Sequence, residues 1–221
     1  MMLAHPQLDT VFDFGLQKVN TLIIENPRFF MDFLRDIGEQ IGGCCGKAVL
    51  SQKNTPIDFS KNAEIIDSFI SFEISRKTLI NKIVSRMEET AVSESNFVRN
   101  TELMRELESY VLDLSFDLPC EIFCSKMNIG AVLRSLGIEI ADNYDNDLER
   151  LLDYMELSRE LDREKLFILV NLRSYYPDSE ISEFFSSVID HEFNVLAVES
   201  FSRKFLENEA RLTVDSDLCE F

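Results

Sequence analysis

An α/β fold interrupted by a helical arm is what this 221-residue sequence predicts. Three observations carry that expectation. The runs KLFILVNL (165–172) and NVLAVES (194–200) are almost continuously apolar, and a strand apolar on both faces belongs in the middle of a parallel sheet. Between them, PDSEISEFFSSVIDHE (177–192) opens on a Pro-Asp-Ser start signal and repeats apolar residues at Ile181, Phe184, Phe185, Val188 and Ile189, the spacing of an amphipathic helix. Strand, helix and strand in that order make a βαβ unit with a right-handed crossover. Lastly, Ser75 to Ser115 holds no glycine or proline, and its apolar residues recur at the helical period.

The remaining elements follow in chain order. LDTVFDF (8–14), NTLIIE (20–25), KAVLSQ (47–52) and IIDSFISFE (65–73) read as strands, with a helix over PRFFMDFLRDIGEQ (27–40). In the middle, Leu79, Ile80, Ile83, Val84 and Met87 form one stripe, and Leu103, Met104, Leu107, Tyr110, Val111 and Leu114 form another. TAVSESN (90–96) turns between them, so the two helices are expected to form an αα-hairpin. GIEIA (137–141) and ARLTVDS (210–216) read as further strands, and Asp145 or Asn146 as the cap of a helix over NDLERLLDYMELSREL (146–161). The domain reading is therefore an α/β head over 1–75 and 131–221, split by a helical leg over 76–130.

Composition narrows the function. The hydrophobic fraction of 45% and charged fraction of 28% are those of a soluble globular chain. No apolar run reaches the roughly 18 residues a membrane span needs, and MMLAHPQLD lacks a signal-peptide pattern. A cytoplasmic protein without a membrane partner is the expectation. Five cysteines and two histidines offer neither paired zinc spacing nor an even disulfide count. The net charge of −18 repels nucleic acid unless the cations are gathered in one place.

Several motifs fail on inspection. IGGCCGKAVL (41–50) evokes a phosphate loop, but Ile41 stands where the first glycine belongs and Ala48 where a magnesium-binding hydroxyl is needed. Its context is also reversed, with a helix before and a strand after. DNYDND (142–147) superficially resembles a calcium loop, but Arg150 stands at the sixth position counted from Asp145, where an EF-hand needs glycine. Pro177-Asp178 begins a metal-nuclease motif, yet Arg163 and Ser202 precede Lys165 and Lys204 where acids are required. His191 has no nucleophile elbow around it. Scarce basic residues cluster on the arm instead, with Lys82 and Arg86 on one flank of its first helix.

The order of parts resembles the short form of the Csn-two family, the ring-forming proteins of type II CRISPR adaptation modules. The resemblance rests on Ser135-Leu136-Gly137, on the lysine-led apolar strand from Lys165 to Asn171, and on the second apolar strand from Asn194 to Glu199. The N-terminal segment LDTVFDFGLQKVNTLIIE and the helix after it also fit, so the likeness spans nearly the whole chain as a pattern of elements.

That resemblance implies a degenerate P-loop-ATPase-like head with a mostly parallel sheet, no bound nucleotide, and an inserted helical leg. It implies a homotetrameric ring that binds free ends of double-stranded DNA during spacer acquisition, beside the CRISPR integrase and the effector nuclease, without being an enzyme. It also implies structural calcium where the leg returns to the head. In SFDLPCEIFCSKMN (115–128), a stretch poorer in acids than is usual for the family, Asp117 and Glu121 are the expected ligands. The expected DNA-contacting cations are Lys82, Arg86, Arg99, Lys126 and Arg134, on or beside the arm. Two readings of other classes compete: a nucleotide hydrolase acting through Lys47, and an acidic protein-binding scaffold.

Overall fold

A computed structural model describes residues 1–15, 17–70, 72–124, 128–141, 143–144 and 146–221. The chain divides into two compact units, Met1–Phe72 with Tyr144–Phe221, and Glu73–Asn143.

The first unit is organised by a five-stranded parallel sheet. Its order is β6 (Ala63–Ile66), β7 (Leu166–Val170), β8 (Asn194–Glu199), β3 (Val19–Ile24), β9 (Glu209–Val214). Every residue of β3, β7 and β8 is buried, as strands covered on both faces must be. On one face Leu22, Ile24, Ile168, Val170, Leu196 and Val198 pack with Phe29, Phe33 and Ile37 of helix α1 (Pro27–Ile41). On the other, Phe167 meets Tyr154 of α6 (Asp147–Leu161) edge to face, ring centroids 6.5 Å apart. Helix α7 (Asp178–Asp190) joins β7 to its parallel neighbour β8 and buries Ile181, Phe184, Phe185 and Val188. The expected βαβ unit is present.

A second sheet contains the strands expected within 8–14 and 47–52, together with two that the sequence did not suggest. Strands β2 (Phe12–Asp13), β1 (Met2–Ala4), β4 (Val49–Gln52) and β5 (Thr55–Ile57) are antiparallel in that order. The β4–β5 hairpin turns on Lys53 and Asn54, both at positive φ (50° and 60°), the two-residue geometry whose twist matches the flanking strands. Leu3, Phe12 and Leu50 carry this sheet into the same core as α1. The class is thus α/β, but the parallel sheet is wholly parallel and the antiparallel strands lie apart from it.

Two strand expectations are corrected. The run 65–73 contributes to a strand only as far as Ile66; beyond it, the buried Phe69 packs on Tyr175 and the buried Phe72 on Tyr154, while Ile70 is exposed, so the two phenylalanines plug the core rather than pairing in a sheet. GIEIA (137–141) forms no strand. It lies in the second unit, where no strand is found among the described residues, and the backbone N–H and C=O of Ile140 bond to Ser75 Oγ instead (3.0 and 3.3 Å).

The second unit consists of α3 (Lys77–Ala91), α4 (Phe97–Leu114) and α5 (Ile129–Ser135). The turn after α3 falls where expected, but the close helix pairing is α3 with α5 rather than with α4. Gly130 marks the approach, since a β-carbon there would lie 2.3 Å from the Glu88 carboxylate. Helix α4 buries none of its residues.

A buried charge network fastens the first unit. The Arg173 guanidinium, 1% exposed, pairs with Glu209 at the start of β9 (3.2 Å) and with Asp178 at the start of α7 (2.8 Å). It also donates to the Lys204 carbonyl (2.6 Å), while the Arg173 amide donates to Glu199 (3.0 Å). Arg211 pairs with the second oxygen of Glu209. The hydrogen bond from Arg173 holds Asp178 below the usual carboxylate range against a smaller effect of burial. Glu199 behaves oppositely. Burial pushes it up to about 7, against the amide and charge of Arg173 and the charge of Arg203, and with Glu209 adding to the rise.

Two outcomes are expected. Arg173→Leu leaves Glu209 and Asp178 short of a cation and should cost about 3 kcal/mol in urea unfolding, as for other broken buried pairs. For Glu199 the folded form holds its proton more tightly than the unfolded chain, whose value is near 4.5. Its contribution is therefore complete below that value and lost as pH rises through about 7. Glu199→Gln should be more stable than the parent at pH 8, by about 3 kcal/mol, with the gap closing toward pH 5.

Candidate nucleic-acid interface

Helix α3 forms because its apolar residues keep one face, with Leu79 and Val84 buried. That places Lys82 and Arg86 one turn apart on its outer flank. Arg86 is exposed and reaches Glu89 (3.3 Å), a pair of the weak, solvent-screened kind. Neighbouring Glu88 points the other way, to Arg134 on α5 (3.2 Å). The packing of α5 on α3 therefore brings Arg134 to the same helix turn as Arg86, with two carboxylates between them. A polyanion arriving here would exchange weak carboxylate contacts for phosphate contacts.

The other expected residues are less gathered. Arg99 is exposed in the first turn of α4 and pairs with no carboxylate among the described residues, unlike Arg86 and Arg134. Lys126 lies outside the described residues. Asp117 and Glu121 are both exposed in the irregular segment after α4. Two carboxylates fall short of the roughly six to eight oxygens calcium takes, and among the described residues no cluster of three or more His, Cys, Asp or Glu side chains is placed to hold a metal. The leg residues chosen from sequence do not by themselves fit an ion.

A phosphate loop would belong to the first unit. The turn after α1 does separate a helix from a strand, in the reversed order expected. Its Lys47 and Ala48 amides, the groups a phosphate loop would aim at its ligand, donate to Asp36 (2.8 and 2.9 Å). Burial would raise the Asp36 carboxyl, but these donations, with His5 and Gln40 nearby, hold it below the usual range. The other strand-to-helix junction of interest runs from the interior strand β3 into α1 through Glu25 and Asn26 alone. There the Asn26 side chain accepts from the Arg28 and Phe29 amides (both 3.1 Å), so the helix caps itself.

Sequence reasoning passed over the loop between β8 and β9. It holds Phe201, Arg203, Lys204 and Phe205, all exposed, above the Arg173 network. The available signal was the adjacent Arg203-Lys204 pair, one of only two such dibasic steps in the chain, flanked by aromatic residues.

No described helix is long and apolar enough to cross a membrane. No curated protein matches the sequence. In fold, the chain is similar to the crystal structure of Stu0660 of Streptococcus thermophilus, with a TM-score of 0.56 and 10% identity, covering 97% of this chain and 75% of that one. The family model for CRISPR-associated protein (Cas_Csn2) matches residues 40–218. That span takes in strands of both sheets, the leg and the Arg173 network, and the chain belongs to the CRISPR-associated Cas_Csn2 family.

Proposed function

We propose that this chain assembles as a homotetrameric ring that binds free ends of double-stranded DNA during CRISPR spacer acquisition, without catalysing a reaction. The observation that carries the assembly is α4. Leu103, Tyr110, Val111 and Leu114 are exposed on an eighteen-residue helix that buries nothing within its own chain. Exposed apolar side chains gathered on one element mark a surface for a partner, and the partner assigned to it in this reading is another copy of the same subunit.

Enclosure also answers the charge problem. A subunit of net charge −18 can approach a duplex when its cations line a shared passage and its carboxylates face outward. Lys82, Arg86 and Arg134 sit close enough on the leg to serve as that lining, and Arg99 and Lys126 are the further contributors. Contacts of this kind fall on phosphates and carry no sequence information. Structural calcium, held in part by Asp117 and Glu121, would then need ligands from beyond the leg segment. Nucleotide hydrolysis is the weaker reading, because the Lys47 and Ala48 amides are engaged by Asp36 and the β3–α1 junction has no glycine loop.

Two measurements test the proposal. Native mass spectrometry with and without calcium should find four copies, and a monomer under both conditions would overturn it. A linear duplex should shift in a gel while the same duplex closed into a circle does not, with the log of affinity falling against the log of salt at about 0.9 per phosphate neutralised. Lys82→Ala with Arg86→Ala should lower that slope by about 1 for each phosphate no longer neutralised. Equal binding of linear and circular duplexes would remove threading from the account.

A further inference from the structure

We infer that the loop between β8 and β9 is a base-stacking contact for unpaired nucleotides at a DNA end. The inference rests on the DNA-binding reading above and adds to it a second, separate contact surface.

The loop is built to face outward. Its backbone is clamped from beneath: the Lys204 carbonyl accepts from Arg173 (2.6 Å) and Arg211 (3.0 Å), and the Arg203 carbonyl accepts from Arg211 (2.9 Å). Leu206 is buried, and its amide donates to Glu209 (3.0 Å). At the other end the Ser200 amide donates to Asn171 (2.9 Å). With the carbonyls turned inward, the side chains of Phe201, Arg203, Lys204 and Phe205 are left outside. Phe201 is 41% exposed and Phe205 56%, which sets two aromatic rings beside two cations on the outer side of the loop.

Each ring is already half of a sandwich. The Arg203 guanidinium lies 4.8 Å from the Phe201 ring centre, and that of Arg211 lies 5.3 Å from the centre of Phe205. Cations on these rings hold them flat and keep them in water, and the opposite faces are left for a planar partner. Neither Arg203 nor Lys204 is ion-paired among the described residues, unlike Arg86 and Arg134. Two aromatic platforms flanking two cations suit a strand whose bases alternate with phosphates. A blunt duplex uncovers only the outer face of its last base pair, so the ligand that two such platforms fit is the unpaired stretch of a frayed or overhanging end. A lipid surface would take both rings inserted tip first, which the guanidinium lids oppose.

The test compares fluorescently labelled probes by anisotropy: a blunt duplex, the same duplex with a single-stranded thymidine overhang, and an oligothymidine alone. The full-length protein should bind the overhang duplex about tenfold more tightly than the blunt one. Phe201→Ala with Phe205→Ala should erase that preference and leave blunt binding unchanged, whereas Arg203→Gln with Lys204→Gln should weaken oligothymidine binding and flatten its dependence on salt. Circular dichroism confirms that each variant is folded. Equal affinity for blunt and overhang duplexes, with blunt binding intact, overturns this inference and leaves the proposed function standing. Oligothymidine binding that needs both phenylalanines, without any duplex binding, supports the inference and overturns the proposed function. Binding to phosphatidylserine vesicles lost in the double phenylalanine variant, with no overhang preference, would assign the loop to a membrane surface and overturn it as well.

Discussion

One buried guanidinium holds together parts of the first unit that are remote in sequence. Arg173 follows the interior strand β7, and its partners come from the first turn of α7, the start of β9 and the loop before β9. Its amide secures the last residue of β8. Desolvating such a charge is expensive, and a well-packed apolar side chain could fill the same volume. What an apolar residue could not supply is the directed bond to a main-chain carbonyl. The connection from β8 to β9 has no helix, yet it must carry the chain past β3 to reach the far edge of the sheet. Its path is fixed by Arg173 and Arg211 rather than by secondary structure.

The same arrangement explains how an acidic chain keeps useful positive charge. Glu209 is fully buried and takes both Arg173 and Arg211, so two cations are held in place by one carboxylate. Asp178, Glu199 and Glu209 thereby act on the interior, while Arg203 and Lys204 are left to solvent. On the leg the logic is looser. Arg86 and Arg134 are paired with adjacent carboxylates across exposed surface, where the bonds are weak and salt-screened. The head presents fixed cations and the leg exchangeable ones.

Much of the head was legible because burial writes itself into the sequence. Strands β7 and β8 are nearly continuous apolar runs, β3 ends in one and β9 alternates, and α7 carries a start signal and a regular stripe. Asn146 does cap α6, accepting from the Leu148 amide (2.8 Å); Asp145 lies outside the described residues. The small sheet was harder to see. Met2–Ala4 and Thr55–Ile57 are three residues each, too short to show a period, and their pairing depends on segments distant in the chain. GIEIA misled for the opposite reason, since its alternation is real but no partner strand exists beside it among the described residues. The Arg173 network left almost no trace, because a buried arginine looks the same in sequence as an exposed one.

The glycine-rich turn at 41–50 shows why composition alone misassigns chemistry. A phosphate loop works by directing several backbone amides at one anion. The turn after α1 also directs two amides at one anion, but that anion is the side chain of Asp36, supplied from one and a half turns back along α1's own face. His5, itself held below its ordinary value by burial against the pull of Asp36, closes the other side at 3.7 Å. An internal carboxylate in the place of a phosphate makes the turn a structural splice between α1 and the antiparallel sheet. It fixes β4 against β1, and with it the register of the edge the sequence did not reveal. An incoming phosphate would have to displace a carboxylate tethered at high effective concentration, and would find a lysine whose amide, not its ammonium, is committed to the turn.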